Sequence, residues 1–263
     1  MTAWPTRHRR MAGFTLIELA VVLLILGLLI AAFLGPLTAQ LESRARAETR
    51  AAMSQAVEAL YGFAVIQRRL PCADTDGDGL EQPGAPRCAP GTESGMLPWR
   101  TLGLEPGDAW RRYLGYRVDP AFTQPKIPGS PCSDAGDDFD LCELGDLIVY
   151  TRGDNPATGF VEGKTQLVLV SSAAAVVVSY GANGSGGVRI DDGTGVPAPP
   201  PGHLDERENV DGDAEFVSRI YSEGAAGCDD NDEATVFCEY DDMVRWVAPA
   251  LLIDRMVRAG RLP

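Results

Sequence analysis

The sequence predicts an α+β chain: a long N-terminal helical spine, apolar in its first half and amphipathic in its second, packed on an antiparallel sheet head with disulfide-closed loops. Three observations predict it. The 23 residues Leu19–Leu41 carry no charge, and a helix-friendly stretch follows them to Arg69. From Pro71 onward the chain turns rich in Gly and Pro and in short apolar runs, the pattern of strands between turns. All six cysteines lie in that second part.

The uncharged run is long enough to span a bilayer as a helix, which needs about 20 residues. Before it, residues 1–13 contain Arg7, Arg9 and Arg10 and no acid. The positive-inside rule then keeps this short end in the cytoplasm and sends the rest across the inner membrane. A cleaved secretory signal would have a shorter apolar core and an A-x-A-like site after it, and neither is found. A plain signal anchor is the other reading, and Glu18 separates it from a more specific one. An acid at the mouth of an apolar run is costly unless paired.

From Thr38 to Arg69, Ala, Leu, Glu, Arg and Gln dominate. Leu41, Ala45, Ala52, Ala56, Leu60 and Phe63 or Ala64 recur at helical spacing and predict a stripe facing a globular domain. Glu42, Arg46, Arg50 and Glu58 are expected on the water side. Phe14 to Arg68 would extend roughly 80 Å as one helix. Gly35-Pro36 predicts a kink or local melting within it, Gly62 a weak point, and Pro71 its end.

In the head, strands are expected at Tyr113–Val118, Leu144–Thr151, Thr165–Leu169, Ala173–Tyr180, Glu215–Tyr221 and Met243–Trp246. An extended exposed loop is expected over 183–209, and a short terminal helix over Pro249–Ala259. Trp99 and Trp110 are expected as core or turn anchors. The cysteines form three local pairs, Cys72/Cys88, Cys132/Cys142 and Cys228/Cys238. Nearest-neighbour disulfides are the simplest arrangement after export, although six cysteines allow fifteen patterns.

Composition narrows the function. Lys plus Arg number 23 against 37 Asp plus Glu, a net charge of −14, which excludes a basic nucleic-acid surface. Two histidines, and no G-x-S-x-G, H-E-x-x-H or P-loop, leave no recognisable enzyme site. Asp74, Asp76 and Asp78, in the string Asp74-Thr75-Asp76-Gly77-Asp78-Gly79, have the alternate-carboxylate spacing that can wrap oxygen ligands around calcium; an acidic turn is the other reading, and Ala85 stands where an EF-hand would want its last acid. Two further acidic clusters, Asp134/Asp137/Asp138/Asp140 and Asp229/Asp230/Asp232/Glu233, fall inside expected disulfide loops.

The string Gly13-Phe14-Thr15-Leu16-Ile17-Glu18-Leu19, with its basic leader and long apolar sequel, resembles the prepilin signal of type IV pilins and type II secretion pseudopilins. The resemblance implies cleavage between Gly13 and Phe14 by a prepilin peptidase/N-methyltransferase and methylation of the new Phe14 amine. It also implies that Glu18 sets subunit register by pairing with a neighbour's amine. Under it the chain divides into a cleaved leader (1–13), a transmembrane and filament-core helix (14–37), an amphipathic periplasmic half (38–70) and a periplasmic head (71–263). Losing the leader's three arginines would take the net charge from −14 to −17. The segment Asp108-Ala109-Trp110-Arg111 through Tyr116 is similar to the D-x-W-G-x-x-x-x-Y segment of major pseudopilins, with Arg111 where that family has glycine. The implied function is a non-enzymatic structural subunit, a minor pilin or pseudopilin, whose partners are other pilins or pseudopilins, first at the inner membrane and then in a periplasmic or cell-surface filament. The alternative is a calcium-dependent adhesin or binding tip on a pilin stalk.

Overall fold

The computed structural model describes residues 15–82, 87–126, 139–155 and 160–262; within these, the side chains of 31–37, 154–155 and 160–162 are left undescribed. Helix α1 (Leu16–Gln67) is the first element among the described residues and contributes to two compact units, residues 1–45 and 46–263.

In the first unit every described side chain from Thr15 to Ile30 is exposed, including Leu16 to Leu29 of the apolar run. Among the described residues no helix is long and apolar enough to cross a membrane. The side chains of 31–37, which continue the uncharged run in the sequence, are among those left undescribed. Helical structure continues through Gly35-Pro36, so the local melting expected there is not observed. Proline costs a helix one hydrogen bond, and this helix continues without it.

The second unit is built on the last turns of α1. Thr49, Met53, Ala56, Leu60, Tyr61 and Ala64 are buried, at spacings of three and four that put them on one face. The buried stripe therefore runs one register away from part of the expected one: Leu41 is exposed and Ala45 and Ala52 are only half-buried. Arg68, at φ +61°, ends the helix in the left-handed conformation, three residues before Pro71, and a single helical turn, α2 (Trp99–Leu102), follows later in the chain.

Four strands form an antiparallel sheet: β1 (Ser94–Met96), β2 (Gly115–Val118), β5 (Ala175–Ser179) and β9 (Met243–Val247), side by side in that order. A second sheet places β3 (Leu147–Asn155) between β4 (Phe160–Ala173) and β6 (Glu215–Val217). The β3–β4 pair is antiparallel, but β6 lies parallel to β3, so the head is not wholly antiparallel as expected. A two-stranded ribbon joins β7 (Ser222–Glu223) to β8 (Glu239–Tyr240). The strands expected at 165–169 and 215–221 come out differently. The first grows to fourteen residues, and the second stops at Val217.

Strand β5 is buried at every position. Ala175 and Val177 join Met53, Leu60, Tyr116, Phe122, Val247, Leu252 and Met256 in the main core. Val176 and Val178 join Leu147, Val149, Phe216 and Val244 in a second one. Burial on both faces explains why this strand reads as a continuous apolar run rather than an alternation. Helix α4 (Pro249–Arg258) closes the main core with Leu252 and Met256. The segment 183–209 is exposed mainly between Arg189 and Pro201. It carries a short helix, α3 (Leu204–Glu208), whose Asp205 and Glu206 are buried, so the uniformly exposed loop expected there is corrected.

Candidate functional site

Two places carry the features singled out in the sequence: the start of α1 and the acidic loop after it. At the start of α1, Thr15 stands just before the first helical residue and Glu18 three positions later. The Thr15 N–H and Oγ1–H both donate to Glu18 Oε2, at 2.9 Å each, and the Glu18 N–H donates back to Thr15 Oγ1 at 3.3 Å. This is a reciprocal capping box, which satisfies backbone donors that the first helical turn leaves open. The T-x-x-E spacing is legible in the sequence, and it gives Glu18 a role within its own helix beside the intersubunit pairing expected of it. The amide that Glu18 accepts from lies after Phe14, so cleavage between Gly13 and Phe14 would leave the box intact. Gly13 and Phe14 themselves lie outside the described residues.

The loop 72–81 is held by its own acids. Asp74 is fully buried. Its Oδ1 accepts from the N–H groups of Asp76 (3.1 Å) and Gly77 (2.7 Å), and its Oδ2 from that of Gly79 (2.8 Å). Asp76 accepts from Asp78 N–H and Asp78 from Leu80 N–H, so the carboxylates form a ladder of turns. Burial raises the Asp74 carboxyl above its usual range, whereas hydrogen bonds from Gln82 and the backbone lower Asp76. Gly79 sits at φ +81°, and a Cβ there would lie 2.5 Å from the Trp99 ring, so only glycine lets the turn close on the indole. Arg100 Nη1 donates to the Asp78 carbonyl, and Arg69 grips Glu81 with two hydrogen bonds of 2.7 Å.

One oxygen from each of Asp74, Asp76 and Asp78 lies within 4.8 Å of the others, with Asp74 buried and the other two exposed. The backbone donors already fix this turn, so a cation here would ride on its exposed rim. A disulfide joins Cys72 to Cys88 beside the loop, and another joins Cys228 to Cys238. Cys142 is disulfide-bonded as well, and Cys132 lies outside the described residues.

Of the other acidic clusters, Asp134, Asp137 and Asp138 lie outside the described residues. Asp229, Asp230, Asp232 and Glu233 do not gather as a ligand set. Asp230 is buried against Arg219, while Glu233 accepts from Lys164 N–H. Sequence reasoning missed Glu208, Asp211 and Asp213, which approach one another after α3. Burial, with added repulsion from Asp211, Asp213 and Glu215, pushes Glu208 up to about 7.

The segment 108–116 is built as a turn around one acid. Asp108 accepts from Trp110 and Arg112 N–H at 3.0 Å each and from the Ser179 hydroxyl at 2.8 Å, so it ties the loop to the end of β5. Burial raises its pKa. Arg111 takes φ +63°, a conformation glycine adopts at no steric cost. Trp99 and Trp110 are both half-buried turn anchors rather than core residues.

Residues 8–34 match the prokaryotic N-terminal methylation motif. The match covers Arg9 and Arg10 of the basic end, Gly13, Phe14, the capping box and the apolar run through Leu34, and it is consistent with a prepilin- or pseudopilin-like signal. No curated protein and no solved structure matches the chain.

Proposed function

Starting from an N-terminal methylation motif on a long helix, we propose that this chain is a non-enzymatic structural subunit, a minor pilin or pseudopilin of a type IV pilus-like or type II secretion filament. The match over residues 8–34 carries the reading. In it, a prepilin peptidase cuts after Gly13 and methylates Phe14. The uncharged run 19–41 then holds the chain in the inner membrane and afterwards packs among its siblings. The exposed apolar side chains of Leu16 to Ile30 support this, because an unpartnered apolar face of that extent calls for lipid or neighbouring helices. The amphipathic end of α1 roots the head, whose disulfides suit an oxidising periplasm.

Glu18 has two tasks in this reading. In the single chain it caps its own helix through Oε2; in the filament its charge answers the methylated amine of a neighbour and sets register. Mass spectrometry of the native protein tests the core of the proposal. A mature chain beginning with N-methylated Phe14 supports it, and a chain beginning at Met1 or beyond residue 41 refutes it. A Glu18→Ala chain that still enters filaments at the normal level would remove the register role while leaving the processing intact.

A further inference from the structure

A cleft of about 320 Å³ opens on the four-stranded sheet, wholly within the second unit. Tyr116 and Val118 of β2 enter the main core with Met53 and Leu60 of α1, so the alternate residues Gly115 and Arg117 lie on the sheet's other face. Strand register sets Met96, Gly115 and Val178 in one row across that face, and Ser94, Arg117 and Val176 in the next. The first row is the floor of the cleft; Phe216 of β6 and the turn at Gly212 form a wall.

Glycine opens this floor. A Cβ on Gly115 would lie 2.4 Å from the Tyr180 hydroxyl oxygen, and one on Gly187 2.8 Å from the Tyr180 ring, so the tyrosine lies across both. Its hydroxyl lines the cleft and has no hydrogen-bond partner among the described residues. Burial, with the Asp242 charge, raises its pKa, so it stays a donor.

Arg117 is half used as well. Nη1 donates to the Gly212 carbonyl, while Nε is buried with no hydrogen-bond partner. A buried donor without an acceptor is rare and costly. Asp211 feels the Arg117 charge, but it forms no ion pair with it among the described residues and accepts from Asp213 N–H. Asp74 is the one acid lining the cleft, and both its oxygens are taken by the N–H groups of its own loop. The cleft therefore sets two donors, one of them charged, over an apolar floor.

We propose that this cleft binds the last residue of a peptide, its free carboxylate on Arg117 and its apolar side chain over Val178 and Phe216. A carboxylate suits the open edge of the guanidinium, where two parallel hydrogen bonds can form. The Tyr180 hydroxyl stands beside Gly115, two residues or about 7 Å along β2 from Arg117, and donates to the amide carbonyl that precedes the last residue. The volume falls at the low end of the roughly 300–1,000 Å³ of small-ligand pockets, which suits a chain end rather than a folded partner. An acylated amino acid free in solution carries the same groups, so the test includes both.

Calorimetric titration of the full chain in detergent at pH 7.5 uses N-acetylphenylalanine, its carboxamide, and a tetrapeptide of alanines ending in phenylalanine. The acid and the tetrapeptide should bind saturably, and the carboxamide about tenfold more weakly or worse. Arg117→Gln should weaken the acid by about tenfold and Tyr180→Phe by about threefold, with melting temperatures checked for both. Arg117→Gln in the same detergent also controls for partition into micelles. The inference is overturned by no binding, by equal binding of acid and carboxamide, or by an Arg117→Gln chain that binds as the parent does. It is also overturned if the free acylated amino acid binds and the tetrapeptide does not. Should Arg117→Gln fail to fold, the parent and Tyr180→Phe decide it: preference for the acid with a loss in Tyr180→Phe supports the site, and no preference refutes it.

Discussion

Arg255 of α4 holds Glu58 of α1 by two parallel hydrogen bonds, at 2.6 and 2.9 Å, while its guanidinium lies 4.3 Å over the Tyr61 ring. Tyr61 in turn accepts from Ala248 N–H through its hydroxyl, so one arginine and one tyrosine bind the chain's last helix to its first. The Glu58 side chain is 62% exposed, so solvent screening leaves the ion pair a small share of the effect. Arg255→Ala should lower stability by about 1 kcal/mol in denaturant unfolding, with Glu58→Gln costing less, because the contact with the ring survives in the second variant.

A harsher loss is expected at Asp205. This fully buried carboxylate pairs with both Arg152 and Arg219, each nearly inaccessible to water. Its removal leaves buried Arg152 without a carboxylate and Arg219 with Asp230 alone, and Asp205→Ala should cost about 3–5 kcal/mol or prevent folding. Secretion yield and protease resistance, compared with an Asp229→Ala control at a more exposed turn, read this out.

Arg111→Gly should stabilise. The left-handed conformation costs an L-residue roughly 1 kcal/mol, and the Arg111–Asp191 ion pair that is lost has both partners largely exposed. A rise in melting temperature for Arg111→Gly, absent in Arg111→Ala, isolates the backbone from the charge.

The carboxyl of Asp119 gives the head a pH dependence of known sign. It caps the turn at Pro120–Thr123 through Ala121 N–H and accepts from Asp146 N–H. Burial, reinforced by the Asp146 charge, outweighs these donors and pushes it up to about 6. An unfolded aspartate titrates near 4. The folded chain therefore binds this proton more tightly, and stability gained through Asp119 appears as pH falls from about 7 to 4. Asp119→Asn should remove that gain, so the stability difference between parent and variant should shift in the parent's favour across this window.

What the sequence made legible was local. The helix over residues 16–67, the terminal helix and β5 each follow from a period or run within one window, and the structure has them within a few residues. The parallel β3–β6 pair left no such trace, because its strands lie some sixty residues apart and neither carries a pairing signal of its own. Helix α3 is five residues inside a Gly/Pro-rich stretch, too short for a helical period to show. On α1 the expected stripe holds at Ala56, Leu60 and Ala64 but not before them, where Thr49 and Met53, also joined by i, i+4 spacing, are buried in place of Leu41, Ala45 and Ala52. Arg117 of β2 and Tyr180 just after β5 reach one cleft through the sheet that joins their strands, so only folding brings them together.

Because Ala175 and Val177 face one core and Val176 and Val178 the other, β5 is a wall shared by two rooms. Slipping it by one residue would exchange Ala175 and Val177 with Val176 and Val178, overfilling one core and underfilling the other at once. Neither cluster can loosen without withdrawing support from its neighbour, so the head should melt as one cooperative block, giving a single calorimetric peak rather than two.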